Sequence, residues 1–410
     1  MYTLSYCKGV IILLGTIIGD IAGSRFEFSE EPAEENEFEI FSDDSYITDE
    51  TVMSIAVAEA MAENWGKSSA EIKKALIDNM QKYGRKFPKA GYGRMFSNWI
   101  DSERPKSYGS CGSGSAMRAI SVGWLANNIN DVNIYARLSA EVTHDHPEGI
   151  KGAQAAASAV FLARNGCGKN VIKKYLINEY GYAIDFTTDY IRNLSLKDKN
   201  HMSTDAIEYA MSAFMEGEDF ESVIRKAVSL GGDTDTIASI AGAIAEAYYG
   251  VPKEMEKEIE RYIPEELKAP LNRYRYIIMY RRNKRRNSYN QLFQDIEYFR
   301  ERSGKKKKKL PIFMQNFDEI DEEIERLEKN SRLEEIENKG YVDTIEIHNL
   351  CMDFNVFMNN VEESGMYLLR AMLTSIVKQE RFNRGVIDSA IEEGVIRKIL
   401  DEMMKRDYAK

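Results

Sequence analysis

The stretch TVMSIAVAEAMAENW, residues 51–65, decides the fold class. Its apolar residues recur three and four positions apart over about four turns without a proline, which predicts an α-helix. Its faces carry Ala and Ser beside longer aliphatic side chains, and small side chains let helix backbones approach closely. Residues 150–164 and 235–249 show the same pattern, and strand signals are few. We therefore predict an all-α fold, with a compact multi-helix domain and a smaller C-terminal helical domain.

The composition bounds the class of protein. The chain has 410 residues, a formal net charge of -11 and 43% hydrophobic residues, which is ample for a core. The longest apolar stretch, residues 9–18, is shorter than the roughly 20 residues of a spanning helix, so we expect no membrane insertion. The four cysteines show no C-x-x-C spacing. This predicts neither a disulfide framework nor a cysteine zinc site, and it favours a cytoplasmic protein without a signal peptide.

The character of the chain changes after Pro270. A basic cluster begins at Arg281, five lysines occupy residues 305–309, and residues 317–337 have the pattern of a highly charged helix. The predicted boundaries give a first domain over residues 1–275, a basic linker over residues 276–312 and a helical domain of unknown function over residues 313–410. We interpret the lysine run as a solvated linker. The alternative is that residues 281–309 bring the protein to nucleic acid or another anionic partner, although the acidic overall charge excludes a nucleic-acid coat.

Two acidic clusters, each at the predicted start of an Ala-rich helix, carry oxygen-rich side chains. The first is TDET, residues 48–51, and the second is GGDTDT, residues 231–236. Adjacent carboxylates are costly unless a cation neutralises them, and an all-oxygen set suits Mg²⁺, Mn²⁺ or Ca²⁺ better than zinc. The alternative is that both clusters are only helix N-caps, where Asp and Thr are favoured. Two clusters with more carboxylates than a cap needs favour the metal site.

Three further motifs are informative. The Gly/Ser loop GSCGSGSAMR, residues 109–118, can offer backbone N–H groups to phosphate. THDHPEG, residues 143–149, holds two of the four histidines, and we interpret it as a polar turn, since no cysteine lies nearby to complete a zinc site. GDIAGSRFEF, residues 19–28, contains Glu27, which the sequence leaves open as a surface acid or a site carboxylate.

Taken in order, these five motifs resemble those of the ADP-ribosylglycohydrolase family. Its members typically show G-D-x-x-G-x-x-x-E, T-D-D-T, G-N-G-S-A-M-R, T-H-x-H-P-E-G and G-G-D-T-D-T, and the resemblance covers about residues 14–275. It implies an all-α fold that holds two Mg²⁺ or Mn²⁺ ions. It also implies hydrolysis of the glycosidic bond at the distal ribose C1 of ADP-ribosylated substrates, with arginine-linked ADP-ribose on a protein as the leading expectation.

Carried over by position, the resemblance implies a role for each motif. The implied metal ligands are Thr48, Asp49, Glu50, Asp233, Asp235 and Thr236. The implied lining of the diphosphate and distal ribose is Ser110, Gly112, Ser113 and Gly114, with His144 nearby. Glu27 matches a carboxylate at the edge of the metal site. A carboxylate from Glu27, Asp49 or Asp235 would orient or deprotonate the attacking water, and the sequence does not rank the three.

Two residues depart from the family pattern. Glu50 replaces the usual Asp, which keeps the charge and lengthens the arm by one methylene, and Ser113 replaces the usual Asn, which removes an amide. Both bear on substrate and cation choice more than on activity. The alternative functions are a catalytically silent ADP-ribose-binding or structural protein, and a hydrolase of another ADP-ribose or nucleotide conjugate. The retained carboxylates favour the enzyme.

Overall fold

A computed structural model describes residues 12–30, 32–195, 206–281 and 386–408, with a few single residues between 361 and 376. Within these residues all regular structure is helical, which confirms the predicted all-α class. No helix found there has the length and apolar character needed to cross a membrane. The predictions for the lysine run at residues 305–309 and for the charged helix at residues 317–337 lie outside the described residues. The predicted domain boundaries stay predictions.

Thirteen α-helices of the described residues up to 258 come first in chain order. They are α1 (Leu14–Gly23), α2 (Asp49–Asn64), α3 (Ser69–Lys86), α4 (Arg94–Asp101), α5 (Gly114–Leu125), α6 (Ile129–Glu141), α7 (Pro147–Arg164), α8 (Lys169–Tyr180), α9 (Thr188–Ser195), α10 (Ala206–Glu216), α11 (Phe220–Ser229), α12 (Thr234–Tyr249) and α13 (Lys253–Glu258). Residues 265–281 form α14, and α15 (Val386–Glu392) and α16 (Val395–Tyr408) follow. The three helices predicted from Ala-rich patterns are confirmed as α2, α7 and α12.

The chain divides into two compact units. The first contains the described residues up to 279, except 127–130 and 165–175, which belong with residues 280–410 in the second. In the second unit, α16 buries an apolar face made of Val395, Ile396, Ile399 and Leu400. These four residues recur three and four positions apart, which is the spacing of one face of a helix.

Helices α1 and α12 of the first unit pack with their backbones in contact. A Cβ atom added to Gly19 would lie 2.1 Å from the carbonyl oxygen of Ala238, and one added to Gly23 would lie 2.5 Å from that of Thr234. Only glycine, which has no Cβ, permits so close an approach. The Thr234 hydroxyl also donates to the carbonyl oxygen of Gly23 at 2.9 Å. The end of α1 therefore lies beside the start of α12.

We expect Gly19→Ala to lower the free energy of unfolding by about 3 kcal/mol, because overpacking outweighs the gain of about 1 kcal/mol that alanine brings to a helix. The matched control is Gly152→Ala within α7, where the nearest atoms to an added Cβ lie at 3.7 Å, an ordinary contact. The control should leave stability unchanged or raise it. Urea denaturation of the full chain measures both, and equal stabilities would contradict the close packing of α1 on α12.

A buried carboxylate on α12 accepts hydrogen bonds from backbone N–H groups at the start of α1. The side chain of Glu246 accepts hydrogen bonds from the backbone N–H groups of Leu14 at 3.3 Å and Gly15 at 2.8 Å. These are donors that the first turn of a helix leaves unpaired. Burial raises the pKa of Glu246 to about 7, although the two N–H groups and the charge of Arg275 lower it.

This raised pKa predicts a pH dependence of stability. Because the pKa of Glu246 in the folded protein lies above its ordinary value of 4.5, the stabilisation from its protonation is fully present below about pH 4.5 and is lost as pH rises through about 7. Glu246→Gln stays neutral throughout. We therefore expect the stability of the variant relative to the native protein to increase between about pH 5 and about pH 8, measured by thermal unfolding. Parallel profiles would refute this.

Candidate active site

Asp20, on the buried side of α1, holds the TDET motif in place. Its Oδ2 accepts hydrogen bonds from the N–H of Thr48 at 2.9 Å, the N–H of Thr51 at 3.1 Å and the Thr51 hydroxyl. Its Oδ1 accepts from the Thr48 hydroxyl at 2.8 Å. Thr48 is itself the N-cap of α2, since its hydroxyl oxygen accepts the N–H of Glu50 at 3.2 Å. Burial raises the pKa of Asp20 to about 6, against the lowering effect of these hydrogen bonds.

The GGDTDT motif turns the chain from α11 into α12. Gly231 and Gly232 have φ of 75° and 76°, a conformation that glycine adopts without strain. The carbonyl of Gly232 accepts the N–H of Phe28 at 2.8 Å, which ties the segment after α1 to this turn. Phe28 has φ of 50°, which is uncommon for a side chain of its size. Glu27, the residue before it, is thereby brought to the start of α12.

The structure brings the acidic motifs together. Carboxylate oxygens of Glu27, Asp233 and Asp235 lie within 4.8 Å of one another. The Thr236 hydroxyl donates to Oε1 of Glu50 at 2.6 Å, which joins the TDET and GGDTDT motifs. Glu27, which the sequence left open, is therefore placed beside the site carboxylates.

The charges of this cluster are crowded. Burial, followed by the charge of Asp20, raises the pKa of Asp49 to about 7. Burial and neighbouring carboxylates also raise the pKa values of Glu27 and Glu50, and that of Asp235. Burial raises the pKa of Asp233 as well. In the described part of the chain none of these carboxylates forms an ion pair with a Lys, Arg or His side chain. Bringing anions together in this way is costly unless protons or a cation neutralise them.

The donor set fits a hard divalent cation. Every donor is an oxygen, and Oε2 of Glu50 is buried with no hydrogen-bond partner among the described residues. The N-cap alternative accounts for Thr48. It does not account for Asp233, which occupies the N-cap position of α12 without a side-chain capping bond. Asp49 and Asp235 lie in the first turns of α2 and α12, where the helix dipole favours an acid. The dipole does not neutralise carboxylates that are buried beside one another.

The Gly/Ser loop leads into α5 next to this cluster. The Ser113 hydroxyl donates to Oδ2 of Asp233 at 3.3 Å. A Cβ added to Gly114 would lie 3.5 Å from Nε2 of His144, so the loop and the histidine are neighbours. Within the loop, the N–H of Gly112 donates to the Ser110 hydroxyl oxygen at 3.3 Å. No contact of Ser110 or Gly112 with the clustered carboxylates is found in the described ranges.

A buried polar group lies behind His144. Arg118 of α5, which is 1% exposed, donates to the Thr143 hydroxyl oxygen and to the carbonyl of Ser139 at 3.3 Å. The Thr143 hydroxyl lies 2.7 Å from Nδ1 of His144. Burial and the charge of Arg118 lower the pKa of His144 to about 2. Residues 142–146 form the turn between α6 and α7, which confirms the interpretation of THDHPEG as a polar turn.

Four residues of this region were not singled out from the sequence. Asp20 and Arg118 are single charges inside apolar helical segments, TIIGDIAG and SAMRAISVGW, and a charge in such a setting is the signal that was available. Thr143 is the first residue of the THDHPEG motif, in which the histidines and not the threonine were considered. The buried hydroxyl of Tyr92 finds no partner within the described residues, and burial with the charge of Asp49 raises its pKa.

Comparison with known proteins agrees with these motifs. The family model described as ADP-ribosylglycohydrolase matches residues 8–294. The chain belongs to the ADP-ribosylglycohydrolase family. It is accordingly an enzyme that hydrolyses glycosidic bonds. A second model, for a family of unknown function called DUF6508, matches residues 353–406.

Relatives of this ADP-ribosylglycohydrolase are found among characterised proteins. ADP-ribosylhydrolase ARH3 of Homo sapiens is 26% identical over 326 residues, covering 61% of this chain and 88% of its own. ADP-ribosyl-[dinitrogen reductase] glycohydrolase of Rhodospirillum rubrum is 23% identical over 284 residues, covering 63% of this chain and 93% of its own. A solved structure titled ADP-ribosylglycohydrolase-related protein complex aligns with a TM-score of 0.48 at 23% identity, over 64% of this chain and 95% of that one.

Asp20 supplies a test of how the site is supported. We expect Asp20→Ala to lower the free energy of unfolding by about 3 kcal/mol, because it leaves buried donors of Thr48 and Thr51 unpaired. Asp20→Asn should cost clearly less, since one amide oxygen can replace Oδ2, which accepts three of the four bonds. Chemical denaturation compares the two variants, and equal losses would contradict this division of the hydrogen bonds.

Proposed function

We propose that this enzyme cleaves the bond between the distal ribose C1 of ADP-ribose and an acceptor, releasing ADP-ribose, and that the acceptor is an arginine side chain of a protein. The observation that carries the proposal is the joining of the two acidic motifs through Thr236 and Glu50, beside the Gly/Ser loop at Ser113. The similarity to an ADP-ribosylhydrolase and to a glycohydrolase of ADP-ribosylated dinitrogen reductase supports the kind of substrate.

The proposal includes two Mg²⁺ or Mn²⁺ ions. The residues that would hold them are Thr48, Asp49, Glu50, Asp233, Asp235 and Thr236. The raised pKa values and the unpartnered Oε2 of Glu50 support this assignment, because a divalent cation would stabilise the crowded carboxylates and would give that oxygen a partner. A bound ion of this class supplies positive charge and lowers the pKa of a water that it contacts.

Three carboxylates are proposed to act on the attacking water, and they differ in exposure. Glu27 is exposed, whereas Asp235 is 3% exposed and buried beside Asp233. An exposed carboxylate beside the cluster can exchange protons with solvent, which suits a general base, and burial and the charges of Asp233 and Asp20 raise the pKa of Glu27. We therefore assign proton transfer to Glu27, and we assign Asp49 and Asp235 to holding charge and orienting the water.

The Gly/Ser loop is proposed to line the diphosphate and the distal ribose. Backbone N–H groups at the start of a helix bind anions, and the loop enters α5 at Gly114. Ser110, Gly112 and Ser113 complete this lining, with His144 beside it. The contact of Ser113 with Asp233 supports this lining, because it joins the end of the loop to one of the carboxylates proposed to hold the metal ions.

The test is release of free ADP-ribose from arginine- and serine-ADP-ribosylated substrates, with Mg²⁺, Mn²⁺ or EDTA. We expect release from the arginine-linked substrate and its loss in EDTA. Asp235→Asn should lower the rate by at least about 100-fold, because it removes a carboxylate of the charged cluster. The matched control is Asp78→Asn, which changes an exposed carboxylate on α3 and should leave the rate unchanged.

The outcomes separate the alternatives. Full activity of Asp235→Asn, with the control also active, would remove that residue from the site. Binding of ADP-ribose without release from either substrate would favour the catalytically silent protein. Release from the serine-linked substrate alone would correct the acceptor and keep the reaction.

A further inference from the structure

We propose that Arg118 and Thr143 are positioning residues that hold His144 with its hydrogen on Nε2, so that this N–H donates to a ligand oxygen beside Gly114. The inference rests on the proposed function for the identity of the ligand, which would be a diphosphate or ribose oxygen of ADP-ribose. The assignment of the hydrogen itself comes from the hydrogen bonds around the ring.

The direction of the hydrogen bonds begins at Arg118. A guanidinium group has donors and no acceptor. The oxygen of Thr143 is therefore the acceptor in its contact with Arg118, and its own hydrogen is left to donate. Among the described residues the acceptor found for that hydrogen is Nδ1 of His144, at 2.7 Å.

The direction of the contact between Thr143 and Nδ1 of His144 is decided by a second neighbour, because a hydroxyl oxygen has two lone pairs and can accept two hydrogens. The guanidinium NH2 group of Arg118 also lies 3.5 Å from Nδ1, so a second donor faces the same nitrogen. A hydrogen on Nδ1 would point at the guanidinium NH2 donor of Arg118, whereas an unprotonated Nδ1 accepts from Arg118 and from the Thr143 hydroxyl. A neutral imidazole that accepts at Nδ1 carries its hydrogen on Nε2. The lowered pKa of His144 agrees with a neutral ring, since burial and the Arg118 charge both disfavour the imidazolium.

The geometry then directs the Nε2–H group. A Cβ added to Gly114 would lie 3.5 Å from Nε2, so this nitrogen faces the start of α5. Ser113, the preceding residue, contacts Asp233 of the carboxylate cluster. His144 is 5% exposed, which limits competition from solvent for this donor. The donor is thus presented where the Gly/Ser loop meets the site.

Filling space in the core does not explain why residue 118 is an arginine. Its side chain is 1% exposed, and within the described part of the chain it makes no ion pair. A buried charge without an ion pair is costly, and an apolar side chain of similar volume would fill the space at lower cost. Asp49 and Glu50 offset part of the cost through their charges, and the guanidinium lies over the Phe96 ring. Neither contact directs a donor at Thr143 and Nδ1 of His144, which is the role that we assign to this side chain.

The first arm of the test is ¹⁵N NMR of the full chain labelled at histidine. The chain has four histidines, so loss of one signal in His144→Gln assigns the ring. We expect the native protein without ligand to show His144 as the neutral Nε2–H form at neutral pH. A ring protonated on Nδ1, or a charged ring, would overturn the proposal without bearing on the proposed function.

The second arm compares Thr143→Val, which removes the hydroxyl and keeps the shape, with Thr143→Ser, which keeps the hydroxyl. We expect the valine variant to lose about tenfold in affinity for ADP-ribose by calorimetry, with a shift of the hydrogen toward Nδ1. The serine variant should retain the native affinity and the native NMR signal. Thermal unfolding verifies that both variants fold.

Native affinity and an unchanged ring in the folded valine variant would overturn the role of Thr143. Absence of ADP-ribose binding by the native protein would instead overturn the proposed function. The NMR measurement on the native protein would still decide the state of His144, even if the valine variant did not fold.

Discussion

The backbone contact between α1 and α12 is the constraint on which the site depends. The two helices are more than 200 residues apart in the chain, yet Gly19 lies against Ala238 at a separation that leaves no room for a side chain at position 19. Asp20, the next residue, then reaches the start of α2, and Glu27 reaches the turn at residues 231–236. The packing of α1 on α12 therefore fixes the positions of the segments that carry the site carboxylates.

This assembly concentrates negative charge in a buried place, and the surrounding structure offsets part of the cost. Four hydrogen bonds from the TDET motif converge on Asp20. Asp49 and Glu50 have no comparable support, and their pKa values are raised accordingly. Residues of a folded protein that violate the usual rules of burial cluster at functional sites, where binding of a ligand or cation relieves the violation. Glu246 differs from the site carboxylates because both of its oxygens accept hydrogen bonds from N–H groups of α1.

How much of this could be predicted depended on the range of each interaction. The helices α2, α7 and α12 were predictable because their apolar periodicity is local. The meeting of Glu50 with Thr236 was implied by resemblance to a family, since spacing along the chain contains no information on contacts 186 residues apart. Glu27 stayed undecided because its position depends on the backbone of Phe28 and Gly232. Arg118 and Thr143 were missed because their role depends on the direction of hydrogen bonds, which only a structure defines.

The two departures from the family pattern are accommodated differently. Glu50 uses its longer arm so that Oε1 accepts from Thr236 on the opposite helix, while Oε2 remains without a partner in the described residues. One oxygen therefore sets the position of the side chain and the other keeps its full capacity as a ligand. Ser113 has a shorter reach than asparagine, and its hydroxyl donates to Asp233. That contact gives the side chain of residue 113 a partner within the carboxylate cluster, where an asparagine amide would have both a donor and an acceptor to place.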